Sequence, residues 1–315
     1  MLKYVFKRLL ALIPFLAGAM FIVFMVFHLL GNPGGHLNRG IGCGVTPEEL
    51  WQWREVHGLN DPVLIQYARY IAGVFTGNFG NSFRSNTPIV PEVMQRFPYT
   101  LRLSLVALSA ALLLAVPAGI IAAIKRNTWT DRLIMFIALI GISIPIFWLG
   151  LLLAILFSQH LHWHSGSIPI ARANEWNSVV LPGFALGTAM MAAMVRSTRS
   201  ALLEAVKQDY IRTARAKGLS ECKIIRKHAL PNIIIPVLTS FKANLGVFFT
   251  GILMVETIFA WPGIGRLMIA IINGGDYPMI LGCLFMFILS FALINLAIDI
   301  AKAFADPHIR RERLC

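Results

Sequence analysis

Charged residues are scarce in this sequence. Asp, Glu, Lys and Arg make up only 14% of its 315 residues, whereas a soluble domain of this size carries roughly 25%. The mean hydropathy is high at +0.69, and hydrophobic residues make up 57% of the chain. This composition excludes an ordinary soluble globular fold and is typical of a membrane protein.

Motifs of catalysis and nucleotide binding are also missing. The sequence contains no GxSxG, no HExxH and no glycine-rich phosphate-binding loop with its lysine. It has no paired carboxylates within an apolar run. We therefore expect that the chain is not an enzyme, holds no cofactor of its own and does not hydrolyse ATP.

Cysteine is limited to four residues, none of them in a CxxC pair that would suggest a zinc site. On the topology derived below, Cys43 lies outside the cell, Cys222 and Cys315 lie inside, and Cys283 lies in the last apolar run. No two cysteines share an oxidising compartment, so we expect no disulfide.

Six apolar runs are long enough, or nearly so, to cross a membrane. A bilayer core about 30 Å thick requires roughly 20 residues of helix. No A-x-A-like cleavage site follows the first run, which is also too long for a signal peptide, so we count it as a span. The sequence predicts an all-α membrane protein with six transmembrane helices, at residues 9–30, 101–124, 133–158, 179–195, 233–256 and 279–304.

The formal net charge of +13 would also suit a protein that binds nucleic acid. The distribution of the charge argues against that function. With the N-terminus inside, 19 of the 28 basic residues fall in cytoplasmic segments, as the positive-inside rule requires. We therefore predict a multi-pass protein with both termini in the cytoplasm and no nucleic-acid partner.

The densest charge lies in one predicted cytoplasmic loop, residues 196–232, which carries nine basic and three acidic residues. Apolar residues recur there at helical spacing, at Leu203, Val206, Tyr210 and Ala214. The pattern predicts a short helix that lies along the membrane surface and ends near Gly218. Gly218 would let the chain turn sharply, and Pro231 suits the entry to the next helix. These residues alone leave two functions open, docking of a partner protein and binding of anionic lipid.

Part of this loop matches a known cytoplasmic signature. The signature consists of Glu-Ala-Ala, a glycine four residues after the second alanine, and a Leu-Pro further on. Gly218 and Leu230-Pro231 have this spacing, and Ala214 occupies the position of the second alanine. Arg212 and Thr213 replace the glutamate and the first alanine.

Further segments follow the same family pattern in the same order. They are Asp61-Pro62, GNFGNSF at 77–83, VETIFAWPGIGRL at 255–267, DYPMI at 276–280 and DPHIRR at 306–311. Together with the loop, they make the sequence resemble the inner-membrane permease subunits of the dipeptide, oligopeptide and nickel ABC importer family.

The resemblance implies the transmembrane domain of a type I ABC importer, which is half of a pore in the bacterial cytoplasmic (inner) membrane. The implied partners are a second homologous permease, two cytoplasmic ABC ATPases that bind ATP and Mg, an external solute-binding protein and membrane lipid. The implied function is ATP-driven import of di- or oligopeptides. Two alternatives stay open. One is a nickel or metal-chelate importer. The other is an ion-coupled secondary transporter, although we identify no inverted repeats or interrupted helices in the sequence.

The resemblance also assigns a role to the loop. A helix seated in a groove of the ATPase would transmit the closure of the ATPase to the spans. The residues implied in this coupling are Asp209, Tyr210, Arg212, Thr213, Ala214, Arg215, Ala216, Lys217, Gly218, Leu230 and Pro231.

The chain divides into four parts on this interpretation. They are the N-terminal tail and first span (1–30), an external helical segment (31–100), the transmembrane core with its coupling loop (101–305) and a cytoplasmic tail (306–315).

The external segment contains two predicted helices. The sequence TPEE at 46–49 predicts a helix start with a capping box, and Gly58 marks the end of that helix. A second helix is predicted from about Val63 to Thr76, stopped by Gly77. We expect this segment to be a structural cap on the bundle rather than a contact for the substrate.

Lys242 is the most unusual residue of the apolar runs. A lysine near mid-bilayer costs roughly 2.5–3.5 kcal/mol on insertion scales, so it should line the translocation path or pair with a carboxylate of a neighbouring subunit. No intramembrane carboxylate of this chain lies at an obvious pairing distance, since Glu256 is about 21 Å further along the same helix. The candidates for the path or gate are Lys242, Asn244 and Glu256. Asp299 and Lys302, three residues apart, predict a local ion pair.

Three histidines, His160, His162 and His164, alternate just after the third run. An extended segment would place all three imidazoles on one face, and histidine is a common ligand of nickel, zinc and copper. They are weak candidates for a metal site because no carboxylate or cysteine lies nearby. An interfacial polar-aromatic cluster is the favoured interpretation.

Overall fold

A computed structural model describes residues 2–30, 46–159 and 176–305 of the chain. Almost all of the described residues are helical, and the only β contact among them is an isolated bridge between Asn81 and Pro88. The all-α prediction is confirmed.

The first helix, α1, is Leu2–Leu30. The segment predicted to be external contributes α2 (Pro47–Val56) and α3 (Val63–Phe75). The predicted capping box is present, because Glu49 N donates to Thr46 Oγ1 at 3.3 Å and Thr46 N donates to the Glu49 carboxylate at 2.8 Å. Hydrogen bonding of the carboxylate to the backbone and then the side chain of Thr46 lowers the pKa of Glu49.

Helix α4, Ile89–Ile124, has 36 residues and is therefore about 54 Å long. It begins twelve residues before the predicted span. A helix of this length exceeds a 30 Å hydrocarbon core, so part of it extends beyond the membrane.

The third predicted span is not one continuous helix. It consists of α5 (Trp129–Ser143) and α6 (Ile146–Gln159), which meet at an angle of 103°. Pro145 causes the break, because proline disfavours helical geometry in the preceding residue. Ile144 accordingly has an extended backbone, with φ −86° and ψ 121°.

The remaining elements carry the loop and the last two spans. In order they are α7 (Trp176–Ala205), α8 (Asp209–Ala216), α9 (Glu221–Ile224), a π turn (Ile225–Ala229), α10 (Leu230–Ala243), α11 (Leu245–Ile258), α12 (Ile264–Gly274) and α13 (Tyr277–Ala305).

The fifth predicted span is also broken. Helices α10 and α11 meet at Asn244 with a bend of 49°. The sequence-based statement that interrupted helices are absent is therefore wrong, and it does not argue against a secondary transporter. Three helices are long and apolar enough to cross a membrane alone. The count is six when each of the three bent pairs is taken as one span, the third pair being the two parts of α7, Ser178–Thr188 and Met190–Ala205, which meet at 54°. Six is the predicted number.

The described chain forms two compact units, one made of 101–261 and 294–305 and the other of 2–100 and 262–293, without the gaps. In the second unit the external segment packs on helices α1 and α13. Tyr67 Oη donates to the Ala17 carbonyl at 2.6 Å, and Tyr70 Oη donates to the Leu281 carbonyl at 3.3 Å. These bonds support the interpretation of the segment as a structural cap.

Two of the family motifs meet within this second unit. Ser82, in the GNFGNSF motif, donates a short hydrogen bond to the carboxylate of Asp276, the first residue of DYPMI. Phe83 N donates to the same carboxylate at 3.2 Å. The pairing explains why both motifs carry polar residues at these positions.

Candidate functional site

Helix α8 of the loop is amphipathic, and its apolar side is buried. Ile211 is 0% and Ala214 is 6% exposed. Both belong to one buried cluster in the first unit, which joins the ends of several helices: Ala123, Leu202, Ala205, Ile211, Ala214, Ile224, Ala229 and Ile233. The loop helix is thus packed onto α4, α7 and α10 rather than attached only through its two chain ends.

Gly218 ends the turn that follows α8, as the sequence predicts. Its φ is +74°, in the left-handed region, and no atom lies within 4 Å of the position that a Cβ would occupy. The glycine is required by backbone conformation and not by lack of space. Gly218 N donates to the Arg215 carbonyl at 2.9 Å and Leu219 N donates to the Ala214 carbonyl at 3.4 Å, so the turn is held by the end of the helix.

The opposite face of α8 is polar and exposed. Its exposed residues are Asp209, Tyr210, Arg212, Thr213, Arg215 and Ala216, followed by Lys217 and Gly218. Arg215 donates two hydrogen bonds to the Glu221 carboxylate, at 2.6 and 3.2 Å. These bonds raise the pKa of Arg215 above its usual value and tie α8 to α9. Two residues of the signature pack inward instead: Ala214 is buried in the cluster, and Leu230 is partly buried against it.

Helix α8 is also joined directly to the start of α10. The Asn232 side-chain amide donates to Tyr210 Oη at 2.9 Å and to the His228 carbonyl at 3.0 Å. Leu230 and Pro231 are the first two residues of α10 and lie between His228 and Asn232 in the sequence. The π turn precedes Pro231, whose ring would clash with a carbonyl of a regular helix. Asn232 was not among the predicted site residues, since no spacing rule marks it.

A second contact that the sequence did not predict joins the N-terminal end of α5 to the C-terminal part of α7. Arg199 donates to both carboxylate oxygens of Asp131, at 2.7 and 2.8 Å. Asp131 is 3% exposed and also accepts a hydrogen bond from Asn127 N at 2.9 Å. The two charges are 68 residues apart, so no local pattern connects them.

Lys242 has a carboxylate partner within this chain. Its Nζ lies 2.6 Å from Asp299 Oδ1, so the prediction that no intramembrane carboxylate is within pairing distance is wrong. That prediction measured distance along one helix, whereas Asp299 lies on α13. The 2.6 Å contact of Asp299 is made by Lys242 on another helix, and the local pair of Asp299 and Lys302 stays a prediction.

The other two path candidates occupy different environments. Asn244 lies at the break between α10 and α11, where its side-chain amide donates to the Ser240 carbonyl at 2.7 Å. Glu256 is 0% exposed, and its carbonyl accepts a hydrogen bond from Trp261 N at 2.8 Å. Glu256 therefore lies inside the protein in this conformation. The structure places Lys242 and Asn244 two residues apart at the break and Glu256 three turns further along.

The metal-site candidates His160, His162 and His164 lie outside the described residues. Within 2–30, 46–159 and 176–305, no group of three or more His, Cys, Asp or Glu side chains could hold a metal ion.

Comparisons with known proteins cover nearly the whole chain. Residues 115–311 match the family model of the binding-protein-dependent transport system inner membrane component. Residues 1–104 match the model of the N-terminal region of such membrane components.

Two curated relatives match over almost their full length. The dipeptide transport system permease protein DppB of Alkalihalophilus pseudofirmus is 39% identical over 335 residues, covering 98% of this chain and 100% of the relative. The glutathione transport system permease protein GsiC of Escherichia coli K12 is 41% identical over 310 residues, covering 98% and 99%.

The fold has a solved counterpart. A chain of the MetNI methionine ABC transporter, crystallised in an inward-facing conformation, aligns with a TM-score of 0.59 at 20% identity. The alignment covers 69% of this chain and 98% of that chain. At this identity the likeness concerns the fold alone.

Proposed function

The chain belongs to the family of binding-protein-dependent transport system inner membrane components, and from this premise we propose that it is the permease subunit of an ATP-driven ABC importer of di- or oligopeptides. The near-complete match to a dipeptide permease and a glutathione permease supports this cargo class. Both named cargoes are small peptides. The chain carries no nucleotide-binding loop, so partner ATPases would bind ATP and Mg and hydrolyse the nucleotide.

The observation that carries the proposal is the packing of α8. A helix that transmits force from a partner must be anchored on one side and exposed on the other. Helix α8 has both properties: Ile211 and Ala214 are buried in the cluster that joins α4, α7 and α10, while the polar face is exposed. A displacement of α8 would therefore move the cytoplasmic ends of three helices together.

The residues of the loop have distinct proposed roles. The exposed side chains of α8, together with Lys217, would contact the ATPase. Gly218 would keep the turn in its left-handed conformation. Leu230 and Pro231 would begin the next span in the orientation set by the π turn. The exposed cations make this face electrostatically suited to an acidic groove.

The assembly would contain a second homologous permease, two cytoplasmic ATPases and an external solute-binding protein. Both termini and the coupling loop 196–232 would face the cytoplasm, and residues 31–100 would face outside. The core at 101–305 would form half of the pore in the inner membrane, surrounded by membrane lipid, with the tail at 306–315 inside.

A peptide cargo is preferred to the two alternatives. A nickel or metal-chelate cargo rests on His160, His162 and His164, for which the relatives offer no support. An ion-coupled secondary transporter would not need an exposed, anchored cytoplasmic helix, nor a match to binding-protein-dependent systems.

The test is a Gly218→Val variant in the full complex, reconstituted in proteoliposomes with its binding protein and radiolabelled dialanine. Valine is poorly tolerated at positive φ, so the turn should change and transport per ATP hydrolysed should fall by about tenfold or more, equivalent to about 1.4 kcal/mol of lost coupling. Dialanine uptake and ATPase activity are measured in the same vesicles.

Gly77→Val is the matched control. Gly77 also has a positive φ, +72°, and open space around its Cβ position, but it lies in the external segment. The control variant should carry the same backbone strain and keep its coupling. Normal transport per ATP in Gly218→Val would contradict the coupling role, and absence of dialanine uptake by the wild-type complex, with uptake of Ni²⁺ instead, would contradict the proposed cargo.

A further inference from the structure

The connection between α4 and α5 carries three exposed cations. Lys125 and Arg126 follow the last residue of α4, and Arg132 lies in the first turn of α5. We call residues 125–132 the α4–α5 turn. Within the part of the chain that the structure describes, none of these three side chains forms an ion pair or a hydrogen bond with another residue.

The single carboxylate of the α4–α5 turn is engaged elsewhere. Asp131 is buried, and its two oxygens accept hydrogen bonds from Arg199 at 2.7 and 2.8 Å. One of these oxygens also accepts from Asn127 N at 2.9 Å. Asp131 therefore neutralises Arg199, and the α4–α5 turn presents three positive charges and no exposed negative charge.

The backbone that carries these cations is fixed by hydrogen bonds. Asn127 has a φ of +64°, which is uncommon for a residue other than glycine, and Asp131 holds it there by accepting from its N–H. Thr128 donates to the Lys125 carbonyl with its hydroxyl at 2.6 Å and with its N–H at 3.1 Å. Arg132 N donates to the Thr128 carbonyl at 3.2 Å. An anion that binds here does not have to order a flexible loop, and this lowers the entropic cost of binding.

An exposed apolar face of α5 begins directly at this turn. One side of α5 packs on α7, and Asp131 and Ala138 are buried on that side. The other side carries apolar residues at helical spacing. These are Trp129, Leu133, Phe136, Ile137 and Ile140, and they are between 41% and 74% exposed. From Trp129 to Ile140 the helix rises about 17 Å, which is close to half of a hydrocarbon core about 30 Å thick. The exposed face thus has the length of one lipid leaflet.

The cationic turn and the apolar face together match the two parts of an anionic glycerophospholipid. Basic residues beside a membrane attract anionic lipid, and tryptophan is enriched at the boundary between headgroups and acyl chains. Trp129 lies in the sequence between the first two cations and the rest of the apolar face. Helix α5 also belongs to a bent pair that is apolar enough to cross a membrane, which favours lipid as the neighbour of this face. An acidic protein surface would complement the cations but not an apolar face of this length.

We propose that the α4–α5 turn and the exposed face of α5 form a binding site for one anionic glycerophospholipid. Lys125, Arg126 and Arg132 bind the phosphate and the headgroup, and an acyl chain lies along Phe136 and Ile137. The inference goes beyond the proposed import function, because it concerns a lipid of the surrounding membrane and not the cargo. It requires only that the chain is inserted in a membrane, and it holds for either orientation of the turn.

The experiment identifies what lies against the exposed face by photo-crosslinking. Phe136 is replaced by the photoreactive benzoylphenylalanine, which keeps an aromatic ring at a position that is 59% exposed. The full complex is reconstituted in proteoliposomes that contain equal amounts of phosphatidylglycerol and phosphatidylcholine. After irradiation, mass spectrometry of the crosslinked peptide shows whether the adduct is phosphatidylglycerol, phosphatidylcholine or another protein chain.

Adducts of phosphatidylglycerol should outnumber those of phosphatidylcholine by about fivefold or more, the factor that corresponds to about 1 kcal/mol per cation at an anionic surface. The combined variant Lys125→Gln, Arg126→Gln, Arg132→Gln should yield the two adducts in the equal proportions of the membrane. Lys125→Arg, Arg126→Lys, Arg132→Lys conserves the charges and should keep the preference for phosphatidylglycerol.

The matched control removes three other exposed cations. Lys223→Gln, Arg226→Gln, Lys227→Gln changes the net charge by the same amount, but these residues lie on α9 and the π turn and not on the α4–α5 turn. This variant should keep the preference for phosphatidylglycerol. Addition of excess inorganic phosphate to the wild-type turn should also leave the preference unchanged, because free phosphate has no acyl chain to contact α5.

Several results would overturn the proposal. Adducts to the second permease or to an ATPase would make the exposed face of α5 a protein interface. Equal amounts of the two lipid adducts, or a preference that survives removal of the three cations of the turn, would mean that no headgroup site exists there. An equal loss in the control variant would assign the preference to net charge, and a loss in inorganic phosphate would indicate a site for free phosphate. Because cargo and ATP do not enter the measurement, these results leave the proposed import of peptides to its own test.

Discussion

At the scale of single residues, close approach of helices depends on particular glycines. A Cβ added to Gly119 on α4 would lie 2.6 Å from Thr198 Cβ and 2.8 Å from the Val195 carbonyl, both on α7. The backbones of these two helices therefore pack in direct contact. The contact lies next to Arg199, which forms the ion pair with Asp131. Packing of small residues replaces the hydrophobic effect as a cause of helix association in lipid.

Gly119→Val should accordingly destabilise the bundle. Inserting atoms into a tightly packed interface costs typically about 1–3 kcal/mol, and here a backbone oxygen is one of the neighbours that must move. We expect a lower melting temperature of the purified complex and a lower yield of assembled complex.

The control for this prediction is Gly18→Val on α1. No atom lies within 4 Å of the Cβ position at Gly18, so this variant tests the effect of valine in a helix without the steric conflict. Equal melting temperatures of the two variants would show that α4 and α7 are not held at the distance seen here.

Among the helices, the short α8 is the best-defined part of the candidate site. It has eight residues, too few to be stable as an isolated helix in water. Its stability must come from tertiary contacts: Ile211 and Ala214 in the buried cluster, the Tyr210–Asn232 hydrogen bond and the Arg215–Glu221 pair. These contacts hold α8 against the adjoining ends of α4, α7 and α10.

Ile211→Ala should weaken this unit. Truncating a fully buried isoleucine costs about 2–5 kcal/mol, and the loss falls on the contact between α8 and the spans. We expect ATP hydrolysis to continue while dialanine uptake per ATP decreases, as measured in the same proteoliposomes.

Ile234→Ala is the control for Ile211→Ala, since it makes the same truncation at a residue of α10 that is 45% exposed. It should leave the ratio of uptake to hydrolysis unchanged. A normal ratio in Ile211→Ala would mean that the buried side of α8 does not transmit the movement of the ATPase.

At the scale of the whole molecule, the proposed topology makes the cysteines useful reporters. Cys222 is exposed in the loop and Cys283 is buried. If the loop is cytoplasmic, a membrane-impermeant maleimide should label Cys222 in inverted membrane vesicles and not in right-side-out spheroplasts. Single-cysteine variants distinguish Cys222 from the others, and Cys283 should react from neither side. Labelling of Cys222 in intact spheroplasts would reverse the proposed orientation.

Features that depend on residues close in the chain could be predicted from the amino-acid sequence alone. The capping box at Thr46 and Glu49, the glycine stop at Gly77 and the left-handed turn at Gly218 follow from neighbours within four residues. The apolar runs predicted the spans because length and hydropathy decide which segments enter a bilayer. The resemblance in the loop predicted the family, which the family match confirms.

The pairing of distant charges and the bend at Asn244 could be seen only in the folded protein. Asp131 finds Arg199, and Lys242 finds Asp299, across 68 and 57 residues, and distance along one helix gave the wrong answer for Lys242. The break at Asn244 lies inside an apolar run whose composition is the same whether the helix is straight or bent, whereas the break before Pro145 is marked in the sequence by the proline itself. Hydropathy fixes which residues leave water, but the partners of a buried charge and the angle at a helix break are set by packing between segments, which no local pattern contains.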